Sequence, residues 1–89
     1  MPPPQIAGGY GSADADSADV KAALALATSE LYRKFPQRAL VEKTTTEVQV
    51  VAGLNYRFDI QMTGGKHYTA VVYKPLQGPM AVSSVEEAK

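Results

Sequence analysis

The feature that most restricts the fold is a change of hydrophobic period at Pro36. Before it, Val20, Leu24, Ala27, Leu31 and Phe35 recur at spacings of four, three, four and four, which lays one apolar stripe along a helix. Asp16 or Ser17 is placed to cap the first turn, and Asp19 suits the positive end of the helix dipole. The run Ala22-Ala23-Leu24-Ala25-Leu26-Ala27 has high helix propensity, and its small side chains let a sheet come close. Pro36 has no amide hydrogen and disfavours helical geometry at the residue before it, so the helix should end after Phe35. Beyond this point the period is two. Leu54, Tyr56, Phe58, Ile60 and Met62 alternate with Asn55, Arg57, Asp59 and Gln61, as a strand with one buried face requires. Residues 39–51, 68–73 and 80–85 read as three further strands, with turns at Gly64-Gly65 and at 75–79. The expected class is α+β, one helix packed on an antiparallel sheet of four or five strands.

The chain of 89 residues has material for one such domain, expected over residues 13–89. Ahead of it, residues 1–12 (MPPPQIAGGYGS) carry three consecutive prolines and three glycines, and read as a flexible arm rather than a strand.

Composition removes several classes of function. Nine basic and nine acidic residues leave a net charge of zero, and the basic ones are scattered along the chain, which argues against nucleic acid as a partner. No apolar run is long enough to span a membrane, and no basic segment followed by an apolar block marks a signal peptide. The absence of cysteine excludes disulfides, thiolate metal sites and a cysteine nucleophile, and leaves the compartment open. His67, the one histidine, stands near the Gly64-Gly65 turn and reads as a surface residue. No triad, converging metal ligands or phosphate loop can be assembled around it. The expectation is a non-enzyme without metal or cofactor.

What stands out instead is an apolar turn. In Glu47-Val48-Gln49-Val50-Val51-Ala52-Gly53-Leu54-Asn55-Tyr56, valine and alanine occupy a hairpin tip where Asn-Gly or Asp-Gly is the usual choice. Leu76 repeats the oddity in the turn at 75–79. Turns of a meander alternate between the two ends of a sheet, so these two, the first and third, should share one end. An exposed apolar tip implies a surface to pack against.

Gln49-Val50-Val51-Ala52-Gly53 resembles the QxVxG first-hairpin motif of the cystatins, protein inhibitors of papain-like cysteine proteases, and matches it at every fixed position. Gly8-Gly9 in the arm, Ala23 to Ala27 with Glu30 and Tyr32 in the helix, and Pro75-Leu76-Gln77-Gly78, similar to the family's second-hairpin Pro-Trp-Gln-Gly, follow the family's order and spacing. The resemblance implies a cystatin-like fold, a helix wrapped by a four- or five-stranded antiparallel sheet. It also implies a wedge that plugs the active-site cleft of a cathepsin-type protease. Position by position, Gly8 is the pivot of the arm, beside Gly9, and Ile6 and Ala7 enter the unprimed subsites. Val50, Val51, Ala52 and Gly53 lie across the cleft, while Pro75, Leu76, Gln77 and Gly78 cover the primed side. Inhibition of this kind is reversible and competitive.

The chain also departs from the family pattern. Leu76 stands where the family has tryptophan, which should weaken the second hairpin. Without cysteine the chain is similar to the cytosolic stefins, although its second loop is closer to the secreted type. The plant-type Ala-Arg-Phe-Ala helix motif is missing, and Phe35-Pro36-Gln37-Arg38 has no asparagine of the sort that some cystatins use against legumain. A competing reading is a cystatin-fold binding or assembly scaffold with no protease target. The expected state is a monomer able to form a domain-swapped dimer, since a valine held near the hairpin tip at Val51 should store about 1–3 kcal/mol of strain that opening the loop releases.

Ala7 offers a small side chain to an apolar subsite. Ala7→Leu should tighten binding to proteases with roomy pockets, chiefly through slower dissociation, as measured by surface plasmon resonance. An unchanged or weaker affinity would put the arm in a different register.

Overall fold

The structure, a computed structural model, describes residues 9–88. Five strands and one helix follow in the order β1 (Tyr10–Ser12), α1 (Ala18–Lys34), β2 (Val41–Val51), β3 (Gly53–Met62), β4 (His67–Lys74) and β5 (Ala81–Ala88). The strands form a single antiparallel sheet in the same order, β1-β2-β3-β4-β5. The helix packs on one face of it, against β3, β4 and β5. The α+β arrangement read from the change of period is therefore what forms.

Of the two capping candidates, Ser17 is the N-cap. Its backbone is extended (φ −61°, ψ 138°) and its hydroxyl accepts from the Val20 amide at 3.5 Å. Asp14 shapes the turn before it, accepting from the Asp16 amide on its side chain and the Ser17 amide on its carbonyl. At the other end Phe35 leaves helical geometry one residue before Pro36, while its amide still bonds the Leu31 carbonyl at 2.8 Å. The buried stripe is Val20, Ala23, Ala27 and Leu31, with Leu24 half-buried on its flank. The expected stripe ran through Leu24. It is centred on Ala23 because the two alanines let the helix backbone sit close to the sheet, leaving less room for a leucine on that line.

On the sheet's inner face, Tyr56, Phe58, Ile60 and Met62 of β3 are buried with Tyr68, Ala70 and Val72 of β4 and Val85 of β5. The alternation seen in β3 holds over its whole length. Phe35 closes the lower end of the core, its ring centroid 5.0 Å from that of Tyr68. The polar atoms at this margin are paired, Tyr68 Oη accepting from Gln37 Nε2 at 3.0 Å and Tyr32 Oη donating to the Ala39 carbonyl at 2.6 Å.

Two boundaries differ from expectation. The first twelve residues are not wholly an arm, because Tyr10–Ser12 pairs with β2, Tyr10 opposite Gln49 and Ser12 opposite Glu47. This strand is fixed by contacts distant in sequence. The Arg57 guanidinium lies 4.0 Å from the Tyr10 ring centroid, and the Ala13 amide donates to the Thr46 carbonyl. The last strand runs on past Val85 to Ala88, with Glu86 and Glu87 opposite Thr69 and Tyr68. Phe58 is fully buried under the helix. Phe58→Ala should cost about 3–5 kcal/mol of stability, read as a lower denaturant midpoint at unchanged slope.

Candidate functional site

Strand direction decides what meets at each end of the sheet. β2 ends at Val51 and β3 begins at Gly53, while β4 ends at Lys74 and β5 begins at Ala81, so both apolar turns lie at one end. β1 runs antiparallel to β2 with Tyr10 opposite Gln49, so Gly9 and the start of β1 lie at that end too. With strands about 4.8 Å apart, the start of β1, the first hairpin and the second hairpin stand in a row at intervals of roughly 7 and roughly 10 Å. Of the expected contact residues in the arm, Gly9 is exposed, and Ile6, Ala7 and Gly8 lie outside the described residues.

The first hairpin reverses at Ala52 alone, with Val51 paired to Gly53 and Val50 to Leu54. Alternation sends Val50 to the helix face and Val51 to the opposite one, and both remain 42% and 38% exposed. Gln49 sits lower, its Oε1 accepting from Asn55 Nδ2 at 2.8 Å across the strand pair. It stiffens the neck of the hairpin. The strain expected at Val51 is not there. Gly53 takes the left-handed conformation (φ +111°), and no non-glycine residue among those described has a positive φ. The turn's unusual backbone falls where it costs little, and the premise for facile opening of the loop fails.

Gly53 is also where the two hairpins interlock. A Cβ there would run into the Lys74 carbonyl oxygen and approach Pro75 Cα at 3.1 Å and Tyr73 Cε1 at 3.2 Å. From the same stretch of β4, Tyr73 Oη donates to the Ala52 carbonyl at the hairpin tip. Its neighbour Lys74 donates to Asp19 Oδ2 at 2.6 Å, tying the second hairpin to the first turn of the helix. That hydrogen bond holds the Lys74 ammonium above its ordinary pKa. Close by, burial, with the Asp19 carboxylate adding to it, raises the Tyr56 phenol. Sequence reasoning overlooked Tyr73 and Lys74 as braces, and gave Asp19 only a place at the helix dipole. The signal available was the position of Tyr73 and Lys74 directly before Pro75, at the foot of the second turn.

The second hairpin carries Leu76 at 81% exposure, with Gln77, Gly78 and Pro79 exposed and Pro75 half-buried. Gly78 supplies the turn's positive φ of +105°. Between the two hairpins lies a shallow, largely apolar hollow of about 170 Å³, lined by Gly53, Leu54, Lys74, Pro75 and Leu76. Leu76 is its outer lip and does not enter the core.

A larger concavity, about 430 Å³, lies on the sheet face opposite the helix, among Glu47, Arg57, Asp59, His67, Thr69 and Ala88. It is open and polar. Arg57 is committed there to Glu47 at 2.5 Å, and His67 Nδ1 stands 3.9 Å from Asp59 Oδ1 with both side chains exposed. An imidazole and carboxylate at that separation, in water, do not form the tight hydrogen bond that orients a catalytic base. Among the described residues no cluster of three or more metal-binding side chains occurs, and no helix is long and apolar enough to cross a membrane. The chain matches no protein-family model, no curated protein and no solved structure.

Gly53→Ala should destabilise the fold by about 1–3 kcal/mol from backbone strain. It should also push Lys74 and Pro75 away from the first hairpin. Thermal melting and backbone amide shifts at Lys74 and Leu76 check both parts.

Proposed function

We propose that this protein is a reversible, competitive inhibitor of papain-like cysteine proteases, belonging with the cystatins, and that it fills the active-site cleft with its N-terminal arm and two hairpin loops. The observation that carries the reading is the exposure of Val50, Val51 and Leu76 on adjacent loops at one end of the sheet. They are three of the six large apolar residues left exposed among the described residues. Such a cluster, set on braced loops, suits burial against an enzyme wall.

The geometry fits exclusion better than turnover. A cleft is filled by a row of three projections, and a substrate needs that same space. The tip of the first hairpin is a tight reversal whose Ala52 carbonyl is held by the Tyr73 hydroxyl, so the peptide bonds there are not drawn out in the extended form a protease cleaves. Apolar area buried on docking contributes about 25 cal/mol per Å² before the costs of association are subtracted. Val50 and Val51 lose little side-chain freedom on contact, since β-branched residues are already restricted. Leu76 presents less area than an aromatic residue in the same place, which makes the second hairpin the weaker contact.

Titration of papain with the folded protein should give full, reversible loss of activity that excess substrate relieves. Leu76→Trp should tighten inhibition. Leu76→Ala should weaken it while leaving stability within about 0.5 kcal/mol, because so exposed a side chain supports no core. Undiminished papain activity at saturating protein would overturn the reading and favour the scaffold alternative.

A further inference from the structure

β5 forms one edge of the sheet, and the ladder fixes which of its backbone groups face outward. The Met62 amide donates to the Lys66 carbonyl, which makes these residues a hydrogen-bonded pair. Every second pair along β3 and β4 is then of the same kind, including Phe58 with Ala70. Ala70 thus spends its amide and carbonyl on β3. Val85, opposite Ala70 on β5, is left with both groups pointing away from the sheet, and so is Glu87 two residues on. The Val85 carbonyl is nevertheless occupied, since Lys34 Nζ donates to it at 2.7 Å. Lys34 belongs to the last turn of α1, where a cation also suits the helix dipole.

We propose that the β5 edge is a strand-addition surface for a second copy of this chain, and that Lys34 keeps it closed. A two-fold antiparallel pairing must set one residue against itself, because equivalent pairs must be of the same hydrogen-bonding kind. Centring the axis on Glu86 would place carboxylate against carboxylate. Centred on Val85, the pairing sets Ser84 of one copy against Glu86 of the other, and Glu87 falls beside the irregularity at Ser83, so no like charges meet. The two central hydrogen bonds then run between the Val85 amide of each copy and the Val85 carbonyl of the other. Those carbonyls are the atoms that Lys34 occupies, and docking would also bring two ammonium groups together. An edge lysine is a common defence against such pairing. At the opposite edge β1 covers residues 47–49 of β2 and an irregularity between Val41 and Lys43 interrupts the remainder, whereas the irregularity of β5 falls at Ser83 and leaves residues 84–88 in regular register.

The proposal is independent of protease inhibition. Sedimentation velocity of the full chain over a wide concentration range tests it. Lys34→Met should shift from one to two chain masses as concentration rises, while the wild type and Lys34→Arg stay at one. In Lys34→Met the Val85 amide should become slow to exchange with deuterium, which reports edge pairing directly. Adding Glu87→Pro to Lys34→Met removes an outward amide without touching the β4 ladder, and should restore the monomer. A folded Lys34→Met, judged by its circular dichroism, that remains monomeric would overturn the proposal. So would a dimer that survives Glu87→Pro, or a wild type that dimerises equally well.

Discussion

The close approach of an alanine-faced helix to one side of the sheet sets the rest of the structure. Ala23 and Ala27 are wholly buried, and around them Phe58, Ile60, Tyr68 and Val72 close a core that admits no unpaired buried side-chain polar atom among the described residues. The helix has 17 residues, β4 and β5 have 8 each, and β3 has 10. At about 1.5 Å per helical residue and about 3.4 Å per strand residue, helix, β4 and β5 are matched near 26 Å while β3 reaches about 34 Å. β3 outruns β4 by one residue at each end, Gly53 at the β2–β3 hairpin and Met62 at the other. Burial on the inner face falls toward the β2–β3 hairpin, since Tyr56 is buried, Val48 beside it is half-buried, and Val50 is exposed.

The parts of this arrangement legible in the sequence are those set by local periodicity. The helix, the β3 alternation and the shared end of the two apolar turns follow from spacing and from the punctuation of Pro36, Gly64 and Gly65. The parts that were not legible depend on groups far apart in the chain. β1 lies in a glycine-rich stretch with no strand pattern of its own, and its place comes from the Tyr10 ring meeting the Arg57 guanidinium and from pairing with β2. Glu86 and Glu87 look like a polar tail, but a ladder can continue through any residues whose neighbours supply partners. The stripe was misread at Leu24 for a related reason. Periodicity identifies a face, but which residue stands at its centre depends on how near the sheet can come.

The candidate site was legible as a set of residues and not as a mechanism of support. Sequence spacing brought Val50, Val51 and Leu76 to one end, and it also suggested stored strain at Val51. In the structure Gly53 takes the unusual backbone angle instead, so the tip is relaxed and braced. The braces come from Tyr73 and Lys74, residues that by pattern alone are unremarkable members of a strand.

Two lysines, at opposite ends of the helix, fasten it to the sheet, and magnitudes separate what they do from what the core does. Lys74 meets Asp19 in the first helical turn, and Lys34 in the last turn meets the Val85 carbonyl. Exposed contacts of this kind are screened by water and add little to stability. Burial of one Phe or Leu in the core contributes about 1.5–3 kcal/mol. The lysine contacts are therefore minor in stability, and their effect is positional. Lys74 fixes the end of β4 whose carbonyl faces Gly53, and so sets the distance between the two hairpins. Lys34 occupies the backbone acceptor of an edge strand. A stable core of this size fixes neither the spacing of its loops nor the closure of its edges, and both are left to weak contacts made where the helix ends.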